Sequence, residues 1–148
     1  MRVLVLSFLL LLGACATGPA TAPVPADSLD RIAADYVALI LEMGEREPGY
    51  VDAYYGPPEW QAEAHAHPRT VPALAEGAAS LTARLNRVSV AGADAATVQR
   101  RKYLLAHVSA AAARLRMMSG ETMSFADEAE ALFGIRPELL PLSAYDPV

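Results

Sequence analysis

Apolar residues recur at intervals of three and four along most of this chain, and nowhere do they alternate as a half-buried strand requires. Thirty of the 148 residues are alanine, isoleucine is scarce, and threonine falls mostly at segment edges. Such a composition favours helix over sheet. The expected fold is therefore all-α: an up-and-down bundle of about three long helices plus short ones, preceded by a signal peptide and a disordered tether.

Cap residues and breakers divide the bundle. Asp27 is expected to cap a first helix in which Leu29, Ile32, Ala33, Tyr36, Ile40 and Met43 share a face, ending before Pro48-Gly49. Val37, Leu39 and Leu41 widen that face to half the circumference, so this helix is expected to be central and to meet more than one neighbour. Thr70 caps a second long helix, with Pro72 tolerated in its first turn and Leu74, Ala78, Leu81, Leu85 and Val88 in register. A third begins at Asp94, carries Val98, Leu105, Val108, Ala112, Leu115 and Met118 on one side, and closes at Ser119-Gly120. Ser124 and Asp127 form a variant capping box for a short helix to Phe133, with Gly134 as its C-terminal cap.

The net charge of -5 is unevenly laid out. Asp27 to Glu63 carries nine acidic residues against two basic, Arg69 to Arg116 eight basic against two acidic, and Glu121 to Asp146 six acidic against one basic. Blocks of opposite sign are most simply complementary faces of one folded body, which argues against a nucleic-acid partner. A basic strip facing anionic lipid is the rival reading. A membrane-active third helix is disfavoured, because Asp94 to Ser119 is rich in alanine and has no tryptophan or phenylalanine.

The amino terminus has the anatomy of a secretory signal: Arg2, an apolar run from Val3 to Leu12 with Ser7 as its one polar residue, then Leu12-Gly13-Ala14-Cys15. The run is too short to span a membrane as a helix. The tetrad resembles the lipobox of bacterial lipoproteins. That resemblance implies cleavage before Cys15, diacylation of its thiol, and acylation of the new terminus by fatty acids such as palmitate. Two or more chains of roughly 16 carbons give lasting attachment. Ala16 after the cysteine resembles the default for outer-membrane sorting, so the expected location is the cell envelope, on the periplasmic face of the outer membrane. Cys15 is the only cysteine, which precludes a disulfide within the chain. Thr17 to Ala26 holds three prolines and no charge, and reads as a tether. The expected organisation is thus a signal peptide over 1–14, an acylated cysteine and tether over 15–26, and a helical domain over 27–148.

Four features invite a chemical reading. Arg101 projects into the apolar stripe of the third helix and needs carboxylate or carbonyl partners, for which Asp35, Asp52 and Glu59 are candidates; a clamp for a ligand carboxylate or phosphate is the functional alternative. The segment Gly49 to Trp60 concentrates Tyr50, Tyr54, Tyr55 and the only tryptophan among Asp52 and Glu59. Asp52, Tyr54, Tyr55 and Trp60 form either a corner plug between helices or a platform for sugars or cations. His65 and His67 lie about 200° apart on a helix and cannot share one ion, so no metal site is assigned. His107 is expected on a polar flank beside Arg100 and Arg114. No nucleophile elbow, phosphate loop or His-Glu-x-x-His motif occurs, and no catalytic residue or cofactor is nominated.

The strings Gly44 to Trp60 (G-E-R-E-P-G-Y-V-D-A-Y-Y-G-P-P-E-W), Arg100 to Leu105, Arg114 to Glu121 and Ser124 to Ala129 resemble the amino-terminal portion of a family of helical bacterial envelope proteins. Some members are similar to His-Glu-x-x-His zinc metallopeptidases. The resemblance implies a helical scaffold without the zinc site, which in longer relatives lies downstream. The apolar ending Leu139-Leu140-Pro141-Leu142 agrees with an incomplete domain, or with a segment that folds back as a lid. The functional expectation is a lipid-anchored, non-catalytic helical domain of a metallopeptidase-like protein. The alternative is a complete small lipoprotein serving as a scaffold or ligand-binding module.

Overall fold

The computed structural model describes residues 28–138 and 140–145, and these are helical with no strand among them. Three long helices, α1 (Leu29–Arg46), α3 (Val71–Arg87) and α4 (Ala95–Met118), are joined by the short helices α2 (Pro58–Ala66) and α5 (Phe125–Phe133). Four of the five helices begin at a side chain that accepts a backbone N–H of the first turn: Ser28 from Arg31, Thr70 from Ala73, Asp94 from Thr97 and Ser124 from Asp127. For α2, Pro58 at the first position does the same service by fixing φ and lacking the orphan N–H. Helix α5 ends as expected at Gly134, whose φ of 71° is a left-handed conformation that a side chain would strain.

The cap of α1 is Ser28, one residue after the expected Asp27. Both residue types accept a first-turn N–H well, so composition alone could not choose between them. Ser28→Ala is expected to cost about 1 kcal/mol, read as a lower melting temperature with an unchanged unfolding slope in urea.

Ion pairs between the helices fix their directions. The start of α1 meets the end of α3 through Asp35 and Arg84 at 2.7 Å, while Glu42, late in α1, meets Arg69 just before α3. These two helices are antiparallel. The starts of α1 and α4 meet through Asp30 and Arg100 at 2.5 Å, and their ends through Glu47 and Arg114. The pair is therefore parallel, and α1, α3 and α4 run up, down and up. The acidic and basic blocks are indeed facing surfaces of one body. Arginines 69, 84, 100 and 114 are engaged with α1 and the residue after it, which takes half of the block's eight basic residues away from the rival lipid-facing strip.

Ile32, Leu39 and Met43 from α1, Leu74, Ala78, Leu81 and Leu85 from α3, and Leu104, Val108, Ala111 and Leu115 from α4 form one buried cluster. Helix α1 contacts α2, α3 and α4, as its wide apolar face requires. The α4 stripe is rotated from expectation: Leu104 and Ala111 are buried, whereas Val98 is 42% exposed. Positions 104, 108, 111, 115 and 118 form a three-four spacing that faces α1 and α3 together, and Val98 in the first turn lies off that seam. Helix α5 packs on α4 but buries no residue fully, and Phe125, Phe133 and Ile135 remain exposed. The described part of the terminal segment does not act as a lid, since Leu142 is 88% exposed and Leu140 and Tyr145 are also exposed.

Candidate functional site

The proline-rich corner after α1 is built around one hydrogen bond. The Tyr54 hydroxyl donates to the Pro57 carbonyl at 3.3 Å, and Gly56 has no Cβ to obstruct the ring. Burial first, then the charge of Glu59, pushes the Tyr54 phenol above its ordinary pKa. After this turn α2 packs on α1, where Ala64 is buried and His65 Nδ1 lies 2.8 Å from Glu45 Oε2.

The expected platform of Asp52, Tyr54, Tyr55 and Trp60 does not assemble. Asp52 and Tyr54 border a small hollow of about 190 Å³ against Leu41 and Gly44 of α1. Tyr55 points into solvent at 97% exposure. Trp60, a turn later, belongs to a different cavity. Asp52, Tyr54 and Tyr55 belong to the segment before α2, whereas Trp60 is carried on the helix itself, and the two stretches line different hollows.

That second cavity is a cleft of about 370 Å³ between α1 and α2. Its α2 wall carries Glu59, Trp60, Glu63 and, beyond the helix end, His67, with Ala64 at the base. Its α1 wall carries Arg31, Asp35 and Glu42, separated by Ala34 and Ala38, whose small side chains leave the space open. Arg69 closes one end. The 59, 60, 63, 64, 67 spacing is one continuous face of α2, a pattern legible in the sequence once the helix start at Pro58 is known.

Charge within the cleft is divided unequally. Glu42, only 9% exposed, accepts from Arg69 Nε at 2.8 Å, Arg69 Nη2 at 2.7 Å and the Arg69 backbone N–H at 2.9 Å. Burial alone would raise the Glu42 pKa, but the hydrogen bonds and charge of Arg69, with that of Arg46, hold it below the ordinary value. Gly77 of α3 gives the guanidinium room, since a Cβ there would lie 2.9 Å from Arg69 Nη1. Arg46 donates to the carbonyls of Pro68 and Arg69 and braces the same loop. Asp35 is held between Arg31 and Arg84. The carboxylates of Glu59 and Glu63, in contrast, make no hydrogen bond or ion pair with a described residue.

Arg101 does not line this cleft. Its Nε donates to the Leu85 carbonyl at 2.8 Å, in the last turn of α3. The partner is thus a helix-end carbonyl and not Asp35, Asp52 or Glu59, an arrangement the helix dipole favours. His107 also differs from expectation, being half-buried against Tyr103 with ring centroids 3.8 Å apart and edge-on to Tyr36 at 6.4 Å. Its Nδ1–H donates to the Tyr103 carbonyl at 3.0 Å, a bond within one helical turn. Burial, followed by Tyr50 and Tyr103, pushes the Tyr36 phenol up to about 12. Cys15 lies outside the described residues.

Among the described residues, no group of three or more potential metal ligands converges, and no helix is long and apolar enough to cross a membrane. No family model matches the chain, and no curated protein or solved structure was found to be similar to it.

Proposed function

We propose that this chain is a lipid-anchored helical domain of the bacterial cell envelope that serves as support architecture, resembling the non-catalytic amino-terminal part of a metallopeptidase-like protein. The reading of the anchor rests on Leu12-Gly13-Ala14-Cys15 and the proline-bearing stretch that precedes the cap at Ser28. The reading of a support role rests on one observation. The acidic groups along α1 are held by arginines of α3, α4 and the α2–α3 loop, so this charge is used to lock helices together.

Expression in a Gram-negative host tests the anchor. The wild-type chain is expected to partition with membranes and detergent and to carry an acylated amino terminus by mass spectrometry. Cys15→Ser is expected to abolish both. Equal membrane partition of the variant, or an unacylated wild-type terminus, overturns the anchor. For the support role, the processed chain is expected to bind no stoichiometric zinc and to hydrolyse no peptide; finding both refutes it.

A further inference from the structure

We propose that the cleft between α1 and α2 is a binding site for an organic cation, an alkylammonium or guanidinium group carried on a short apolar stem. The inference stands independently of the lipid anchor and of the support role.

Its first ground is the placement of Trp60. The largest side chain in α2 is not used in the core: it remains 37% exposed as a wall of the cleft, while α2 buries only Ala64. An aromatic ring beside carboxylates attracts a cation through its quadrupole as well as through charge. Its second ground is the charge imbalance. The two arginines that reach the cleft are engaged, Arg31 with Asp35 and Arg69 with Glu42. Glu59 and Glu63 are four residues apart on the face shared with Trp60, and neither is neutralised by a described residue. Like charges at this spacing weaken a helix, and a cation bound between them relieves the repulsion. Its third ground is the floor. Ala34, Ala38 and Ala64 provide an apolar surface for methylene groups, and a volume of about 370 Å³ is within the range of small-molecule sites. An anion is disfavoured because the acidic side chains left without a partner on the cleft wall, Glu59 and Glu63, are carboxylates beside the Trp60 ring.

Because Trp60 is the only tryptophan, its emission reports on this site alone. The whole processed chain, in detergent, is titrated with butylguanidinium and with butylurea, which has the same shape without the charge. Butylguanidinium is expected to change the emission saturably and butylurea is not. The double variant Glu59→Gln/Glu63→Gln is expected to raise the half-saturating concentration at least about tenfold, and added salt to raise it severalfold. Both glutamates are exposed and unpaired, so this variant is expected to melt at or slightly above the temperature of the parent. The proposal is overturned if butylguanidinium fails to saturate, if butylurea acts equally, or if the double variant binds as the parent does. Saturation by N-acetylglucosamine that is indifferent to the double substitution also overturns it, and would assign a sugar platform instead.

Discussion

Leu115→Ala is expected to destabilise the domain by about 3 to 4 kcal/mol, the largest effect of any single substitution considered for this protein. Leu115 is fully buried in the cluster that α1, α3 and α4 share. Truncation removes the transfer free energy of three carbons and leaves a void that three packed helices cannot close without shifting together. For a domain of this size the loss corresponds to a melting temperature lower by roughly 10 to 15 °C. Leu142→Ala, at a site 88% exposed, is the internal control and is expected to change stability by less than about 0.5 kcal/mol. Urea denaturation of both variants gives the comparison. A loss below about 1 kcal/mol at Leu115 would mean that α4 does not seat against α1 and α3 as described.

Arg69→Ala is expected to cost about 2 kcal/mol at neutral pH. The substitution strands Glu42, whose side chain is 12% exposed, without its bidentate partner. A fully buried pair would lose more, but the Arg69 side chain is 40% exposed and water screens part of the interaction. Arg69→Lys is expected to recover only part of the loss, because an ammonium cannot present two parallel N–H groups to one carboxylate. The pH dependence follows from the lowered pKa of Glu42. A carboxyl that is more acidic in the folded state stabilises it above its unfolded pKa of about 4.3, and the contribution is lost as the pH falls through the folded value. The difference between wild type and Arg69→Ala is therefore expected to be widest near neutrality and to narrow below about pH 4. Glu47, lowered by its hydrogen bond from Arg114, adds to the acid sensitivity of both proteins. A difference that stays constant from neutral to acid pH would show that Arg69 acts through packing and not through charge.

The helical segments were legible because the signals are local. Thr70, Asp94 and Ser124 are found capping the helices that follow them, and Gly134 ends α5 in the conformation that glycine tolerates best. The face of α3 was also legible, since Leu74, Ala78, Leu81 and Leu85 are all buried and the helix has one dominant side. The α4 stripe was less so. That helix packs against α1, α3 and α5, and its alanines at 111, 112 and 113 give no side a clear apolar excess. Periodicity identifies a preferred side only when one exists.

The candidate site shows the same limit more sharply. Grouping Asp52, Tyr54, Tyr55 and Trp60 followed their nearness in sequence, whereas the start of α2 at Pro58 sets Trp60 on a helix face that lines a different hollow. Glu42 attracted no notice because an acidic residue on a largely apolar helix is common. Its partner Arg69 lies 27 positions away, and only the return of α3 along α1 brings the two together.

By itself, the sequence determined which segments are helical, where most of them start and stop, and that acidic and basic blocks would face one another, because capping, propensity and charge act over a few residues or by simple complementarity. Only the tertiary structure decided which arginine meets which carboxylate, which of them are left over, and that Trp60 stands in a cleft with Glu59 and Glu63. Those outcomes depend on the rotation and direction of each helix against its neighbours. They are set by the packing of the whole core at once, and no local stretch of residues encodes them.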